Sequence, residues 1–277
     1  MNQLLKILLP VLLLCSTELN YAQQSVQISE DLTSTLLIED VYLITHYFPR
    51  YGSNSLFVHL PGKNGVLIDT PHETSGTKSL LDWITDTFGN LDLIAINTGW
   101  HQDNLGGNEY LRSLNIDVYG PDLTCALLSE RGDELKSLLL ESTVDLEDGR
   151  FYKSYQGLQL ISPNRVFPIK EGLLLELGGE KFQVYFPGES HTVDNTVVYL
   201  HEREVLFGGC MVLSMQHQGP GFTEHANMGE WPKSLEKIIK KFPSSKIVIP
   251  GHGSPGDVAL LEHSITILNR YNAENPE

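Results

Sequence analysis

Five side chains able to bind a metal each stand at the end of a short apolar run, and that placement constrains the chain more than any other feature. His101 and Asp103, two residues apart, follow the nearly all-apolar run 91–96. His191 follows 182–186, Cys210 closes 204–207, and His252 closes 246–249, each with glycine within a few residues. Runs of this length and composition predict buried strands. Loops leaving such strands would bring imidazole, carboxylate and thiolate to one sheet edge. That donor set suits Zn²⁺. A single histidine after a strand is more often a capped or solvated residue than a ligand. Four such positions and a cysteine in one setting favour a metal. The other histidines (46, 59, 72, 201, 217, 225 and 263) lack it and are read as surface or flap residues. His217 and His225 are possible exceptions, because they sit in a long polar loop.

The rest of the chain predicts an α/β fold. Short strands at 35–38, 41–45, 55–60 and 65–68 are separated by turn-forming Gly, Pro and Asn,. Helical periodicity follows at 74–88, and the run 91–96 leads into further helical patterns at 108–114 and 123–128,. More strands are expected at 173–177, 182–186, 196–200, 204–207 and 246–249, and helices at 231–242 and 257–272. Two βα-rich halves fit a four-layer αβ/βα sandwich. Residues 23–277 are expected to form one domain. The stretch 47–54 is rich in aromatic and turn residues. It reads equally as a locally packed hairpin or as a flap, formed by Tyr47, Phe48 and Tyr51, over a site.

Charge and the N-terminus narrow the setting. With 19 Lys and Arg against 35 Asp and Glu, the net charge is −16. A chain this acidic repels nucleic acid and anionic lipid, so neither is expected as a partner. The first residues give a short basic start, the apolar run 7–14 and a small residue, Ala22, before Gln23. This is the pattern of a cleaved secretory signal peptide spanning residues 1–22, and it predicts export to the periplasm. The run is too short to span a bilayer. A lipid anchor at Cys15 is the lesser alternative, because Leu14 precedes it where a small residue is needed. Export leaves Cys125 and Cys210 in an oxidising compartment, either as one disulfide or with one thiol binding metal.

The motifs together resemble the class B metallo-β-lactamases of the first subclass, over nearly all of the mature chain. The resemblance runs from Leu-Ile-Asp-Thr-Pro71 and Trp-His-Gln-Asp-Asn-Leu-Gly-Gly107, through Pro-Gly-Glu-Ser-His-Thr-Val-Asp-Asn195 and Phe-Gly-Gly-Cys210, to Pro-Gly-His252. It implies the αβ/βα sandwich, and a zinc hydrolase that opens the amide of small β-lactam substrates with metal-activated water, acting as a monomer. Cys210 is the telling residue, since the wider superfamily usually has a bridging Asp there. The resemblance implies that Asp103, Cys210 and His252 form the family's second zinc site. His101 and His191 match two ligands of its first, three-histidine site.

The departures from the family are equally specific. The third ligand of the first site falls at Gly99, which has no side chain to offer. One tight zinc is therefore expected, with a second site weak or incomplete. Gly99→His is expected to raise zinc content if the loop can host the ring. The family's basic residue for the substrate carboxylate falls at Leu213, and its carbonyl-polarising Asn falls at Phe222. Asn195 and Asn227 are the remaining candidates for substrate contact, beside the aromatic flap. Asp103 and His101 are the candidate bases. The alternatives are a zinc hydrolase of the same fold acting on another ester, lactone or amide, and a catalytically weak metal-binding relative.

Overall fold

The computed structural model describes residues 25–47 and 52–276. The expected signal peptide, Phe48 and Tyr51 lie outside these residues. The first half contains β1 (Ser25–Ser29), β2 (Leu32–Ile38), β3 (Val41–Tyr47), β4 (Gly52–Leu60), β5 (Asn64–Ile68), α1 (Thr74–Phe88), β6 (Asp92–Ile96), α2 (Gln102–Leu105), α3 (Asn108–Ser113), β7 (Asp117–Pro121), α4 (Asp122–Thr143), α5 (Gly149–Gly157) and β8 (Arg165–Phe167). The second contains β9 (Leu173–Leu177), β10 (Glu180–Tyr185), β11 (Val197–Leu200), β12 (Val205–Leu213), α6 (Trp231–Lys241), β13 (Ile247–His252) and α7 (Ala259–Glu274).

The described strands form one continuous sheet, ordered β8-β7-β6-β5-β4-β13-β12-β11-β10-β9, with β1, β2 and β3 attached through β4. Alternation along each strand divides the core into layers. Leu56, Val58, Ile68, Val198, Phe207 and Ile249 share one apolar cluster between the two halves of the sheet. On the opposite strand faces, Phe57 and Leu67 pack with Leu80 and Ile84 of α1. Leu206 and Val248 pack with Leu235 of α6 and Leu268 of α7. Two helical layers therefore enclose two sheet layers, which is the expected four-layer sandwich.

β1, α2 and β8 are absent from the sequence reading, and four further differences have a visible local cause. Strand β7 begins with polar Asp117, and its apolar residues are interrupted by Gly120, so the run carries little signal. Helix α4 continues to Thr143, far beyond 128, because Leu135 and Leu139 extend its buried face. Helix α5 is short, with an N-cap in which Asp148 accepts from the Arg150 amide. Strand β12 runs on through Cys210 to Leu213, where the reading ended it at 207.

Strand directions explain why the candidate residues meet. β5 and β6 are parallel, β12 and β13 are parallel, and β13 runs antiparallel to β4, itself antiparallel to β5. The C-terminal ends of β6, β12 and β13 therefore lie at one edge, where α/β sheets place their ligands. β10, two antiparallel steps from β12, ends there as well.

Phe207 has no exposed surface and packs between the two halves of the sheet. Phe207→Ala is expected to cost about 3–5 kcal/mol, read from denaturant unfolding, with an unchanged transition slope.

Candidate metal centre

Cys210 reaches the site because β12 is irregular there. The β12–β13 register shifts on both sides of Gly209, and Gly209 adopts φ 55°. An added residue of this kind re-aims a side chain at the edge of a sheet. β13 passes so close that a Cβ on Gly251 would stand 2.7 Å from the Cys210 backbone. Only glycine permits that approach. His252 is the last residue of β13, and its Nδ1 lies 3.1 Å from the Gly52 carbonyl. Donation to that carbonyl puts the proton on Nδ1 and leaves Nε2 facing inward, 3.2 Å from Asp103 Oδ2,. Cys210 Sγ lies 3.3 Å from the same oxygen.

Among the described residues, Asp103, Cys210 and His252 are the group of three metal-binding side chains whose donor atoms all lie within 4.8 Å of one another. Their electrostatics fit a cation. Burial pushes the Asp103 carboxyl up, but the hydrogen bond and charge of His252 outweigh it and hold Asp103 well below the usual carboxylate range. Burial raises the Cys210 thiol well above its ordinary value, with the charges of Asp103 and Asp69 adding to the effect. Asp103 Oδ1 is buried with no hydrogen-bond partner. A cation accounts for that orphaned oxygen, and O, S and N donors at this spacing suit zinc.

The loop carrying Asp103 is fixed from behind. Buried Asp69 accepts from the Thr98 amide and hydroxyl at 2.7 and 2.6 Å, and from Asn104 Nδ2 at 2.9 Å. Burial raises the Asp69 carboxyl to about 8, against the lowering effect of these three donors. Asn104 Nδ2 also lies 3.7 Å from Cys210 Sγ, so one amide ties the loop to the thiol.

His101 and His191 stand beside this group, their rings perpendicular and 5.2 Å apart. Burial pushes His191 down to about 4 and His101 well below its ordinary value, so both are neutral imidazoles able to bind a cation,. At Gly99 a Cβ would come within 2.6 Å of Asn195 Nδ2 and 3.0 Å of Asn104 Oδ1. Two side-chain amides therefore occupy the space a ligand from position 99 would need. Asn195 is itself fixed, since its Oδ1 accepts from the Thr192 amide at 2.8 Å. The ring of Gly99→His would have to displace both amides, which is the condition on which the gain of zinc expected from the sequence depends.

The other candidates are dispersed. Tyr47 ends β3 with 55% of its surface exposed. Asn227 serves the fold: its Nδ2 donates to Glu189 at 2.6 Å and its Oδ1 accepts from the Glu230 amide at 3.1 Å. Leu213 is buried, with its amide bound to Ser264 Oγ.

His46 and His72, read from sequence as surface or flap residues, are instead buried, and so is His225, one of the two exceptions allowed there. His225 reaches the site from the polar loop, with Nδ1 2.8 Å from His101 Nε2. Its neighbour Phe222 is 41% exposed and stacks edge-on against His101, His191 and His225. The length of the loop between Cys210 and Trp231 was the one signal for these residues. Cys125 and Cys210 are both free, which removes the disulfide alternative.

Three outcomes are expected from this geometry. Thiol titration of denatured, unreduced protein returns both cysteines as free. Gly99→Ala lowers stability by about 1–3 kcal/mol in denaturant unfolding, because its Cβ must displace Asn195, and Gly99→His gains no zinc by elemental analysis.

No protein-family model matches the chain. The comparison with individual proteins is informative. A metallo-β-lactamase type 2 of Bacteroides fragilis is 32% identical over 255 residues, covering 90% of each chain. One of Elizabethkingia meningoseptica is 27% identical over 239 residues, covering 85% of this chain and 84% of that one. Among solved structures, a metallo-β-lactamase of Pontibacter korlensis superposes with a TM-score of 0.73 at 30% identity, covering 86% of this chain and 99% of that one. The DIM-1 metallo-β-lactamase gives 0.71 at 28% identity, covering 87% and 98%. With likeness spanning nine-tenths of a curated relative and the same fold around the Asp-Cys-His group, the chain belongs to the class B metallo-β-lactamase family.

Proposed function

We propose that the protein is an exported, zinc-dependent hydrolase that opens the amide bond of β-lactams, with one tight zinc site and an altered first site. The carrying observation is the convergence of buried Asp103 and Cys210 with half-buried His252, their donor atoms within 4.8 Å of one another. Asp103, Cys210 and His252 would hold the tight zinc. His101 and His191 would give a second ion only partial support, since Gly99 adds no donor. Bound there, zinc supplies Lewis-acid charge, which lowers the pKa of water from about 15.7 toward roughly 7 and stabilises negative charge on an opened amide.

The chain's own residues supply the rest. The Gly52 carbonyl holds the His252 proton on Nδ1, which keeps Nε2 available. Asp69, through Thr98 and Asn104, holds the 97–104 loop in place. His101 and Asp103 are the two groups beside the reacting position that accept a proton. Phe222 gives the site an apolar wall from which water is partly excluded. The N-terminal pattern supports export to the periplasm.

One observation favours a second reading, a hydrolase of the same type acting on another cyclic amide, ester or lactone. Buried Leu213 stands where the family carries the cation for the substrate carboxylate.

A chromogenic cephalosporin and a carbapenem are expected to be hydrolysed, with turnover lost on chelator dialysis and restored by zinc. Cys210→Ser is expected to lose both the tightly held zinc, about one per chain in wild type by elemental analysis, and the activity. Turnover of lactones or esters alone would move the assignment to the second reading. Hydrolysis indifferent to chelator would overturn both.

A further inference from the structure

The polar loop before α6 places a histidine behind His101 and a carboxylate behind that histidine. His101 Nε2 lies 2.8 Å from His225 Nδ1, and His225 Nε2 lies 3.4 Å from Glu134 Oε1. Glu134, on α4, is gripped by both arms of Arg131: Nε to Oε2 at 2.9 Å and Nη2 to Oε1 at 2.7 Å. Arg131 lies 5.4 Å above the Trp100 ring, and Trp100 packs on His225 at 4.9 Å and on His101 at 5.2 Å. The His225 side chain is 2% exposed. Its loop is pinned where the Asn227 amide donates to the Ser190 carbonyl at 2.8 Å.

His225 Nε2 makes no hydrogen bond among the described residues but faces the carboxylate at ion-pair distance, and that sets the direction of the His101–His225 hydrogen bond. Glu134 accepts and never donates while Arg131 keeps it ionised. A bare His225 Nε2 facing it would be repelled, so the His225 proton sits on Nε2. His225 Nδ1 is then an acceptor, and His101 must donate from Nε2. The nitrogen of His101 left without a proton is Nδ1.

We propose that His225 and Glu134 are positioning residues that hold His101 in the Nε2–H tautomer, with Nδ1 as its basic atom. This goes beyond the functional reading above and rests on it only in taking His101 as a site residue. Direct binding of one ion by both rings is the competing arrangement, and the spacing disfavours it. Two imidazole nitrogens sharing a tetrahedral zinc at about 2.0–2.1 Å stand about 3.3 Å apart, against 2.8 Å here. Partners behind a metal-binding histidine fix its tautomer and orientation, and losing one typically costs about 10–100-fold in metal affinity or activity.

The test reads the proton itself. Long-range ¹H–¹⁵N correlation of the imidazole rings in metal-free protein is expected to show His101 and His225 both protonated at Nε2. In His225→Asn, whose side-chain carbonyl can accept in place of Nδ1, His101 keeps that tautomer. In His225→Leu it shifts to a mixture or to Nδ1–H, and affinity for a second zinc equivalent falls about 10–100-fold while the first is unchanged. Glu134→Gln, which leaves an uncharged acceptor, weakens the preference without abolishing it. Three results overturn the proposal: an Nδ1–H His101 in wild type, a tautomer unmoved in His225→Leu, or an X-ray absorption spectrum of zinc-loaded protein that loses one imidazole ligand in His225→Asn. The tautomer is read without metal or substrate. Absent lactam turnover would sink the functional reading and leave this one standing.

Discussion

The site depends on one buried charge. Asp103 is almost fully removed from water, yet His252 holds it ionised. An isolated carboxylate in such a place would take up a proton. Keeping it charged requires His252 at the end of β13 and the 97–104 loop to be fixed to within a fraction of an ångström. The parallel β12–β13 pair, the close approach at Gly251 and the Asp69 anchor supply that rigidity. One Asp103 oxygen lacks a hydrogen-bond partner, and burial disfavours the Cys210 thiolate that a metal would bind. A divalent cation relieves both costs together. Metal binding and the stability of this edge of the sheet are therefore one equilibrium.

The strand-borne half of the site was legible in the sequence. Apolar runs ending in Asp103, Cys210 and His252 define strands, and strand direction leaves their loops little choice of where to meet. The layers were legible from the order of strands and helices, while the sorting of successive residues of β4 and β11 onto opposite faces emerges only in the structure. What pattern reading missed follows from the same logic. β7 has too few apolar residues to announce itself, and the buried face of α4 beyond residue 128 is diluted by charged neighbours.

The loop-borne half was not legible, for a different reason. Gly99 implies a missing donor but says nothing of what fills the space. The answer comes from Asn104 and Asn195, distant in sequence, whose amides converge there. Asn195 is called to that point by the Thr192 turn, a local interaction whose spatial consequence appears only once β6 and the loop after β10 lie side by side. His225 is similar. Nothing in Phe-Thr-Glu-His-Ala-Asn marks it as buried. It is buried because Asn227 and Trp231 fasten the end of the loop to Ser190 and Met211, and that draws the preceding residues over His101.

The two halves are therefore built on different physical principles, and this bears on how the protein tolerates change. Cys210 and His252 are held by backbone pairing within the sheet, where a shift of one strand displaces all of its residues together, and Asp103, on α2, is held by the Asp69 anchor of its loop. His101 and His191 are held by side-chain packing: Trp100, Trp231 and Phe222 around the rings, and amides in the place of a ligand. Packing of this kind can be exchanged residue by residue without disturbing the strands. A change at position 99 thus touches one half while the other remains intact. The amides that fill the space there keep it dry and closed. An open gap at that point would admit water beside Asp103 and weaken the low-dielectric setting on which its charge interactions depend.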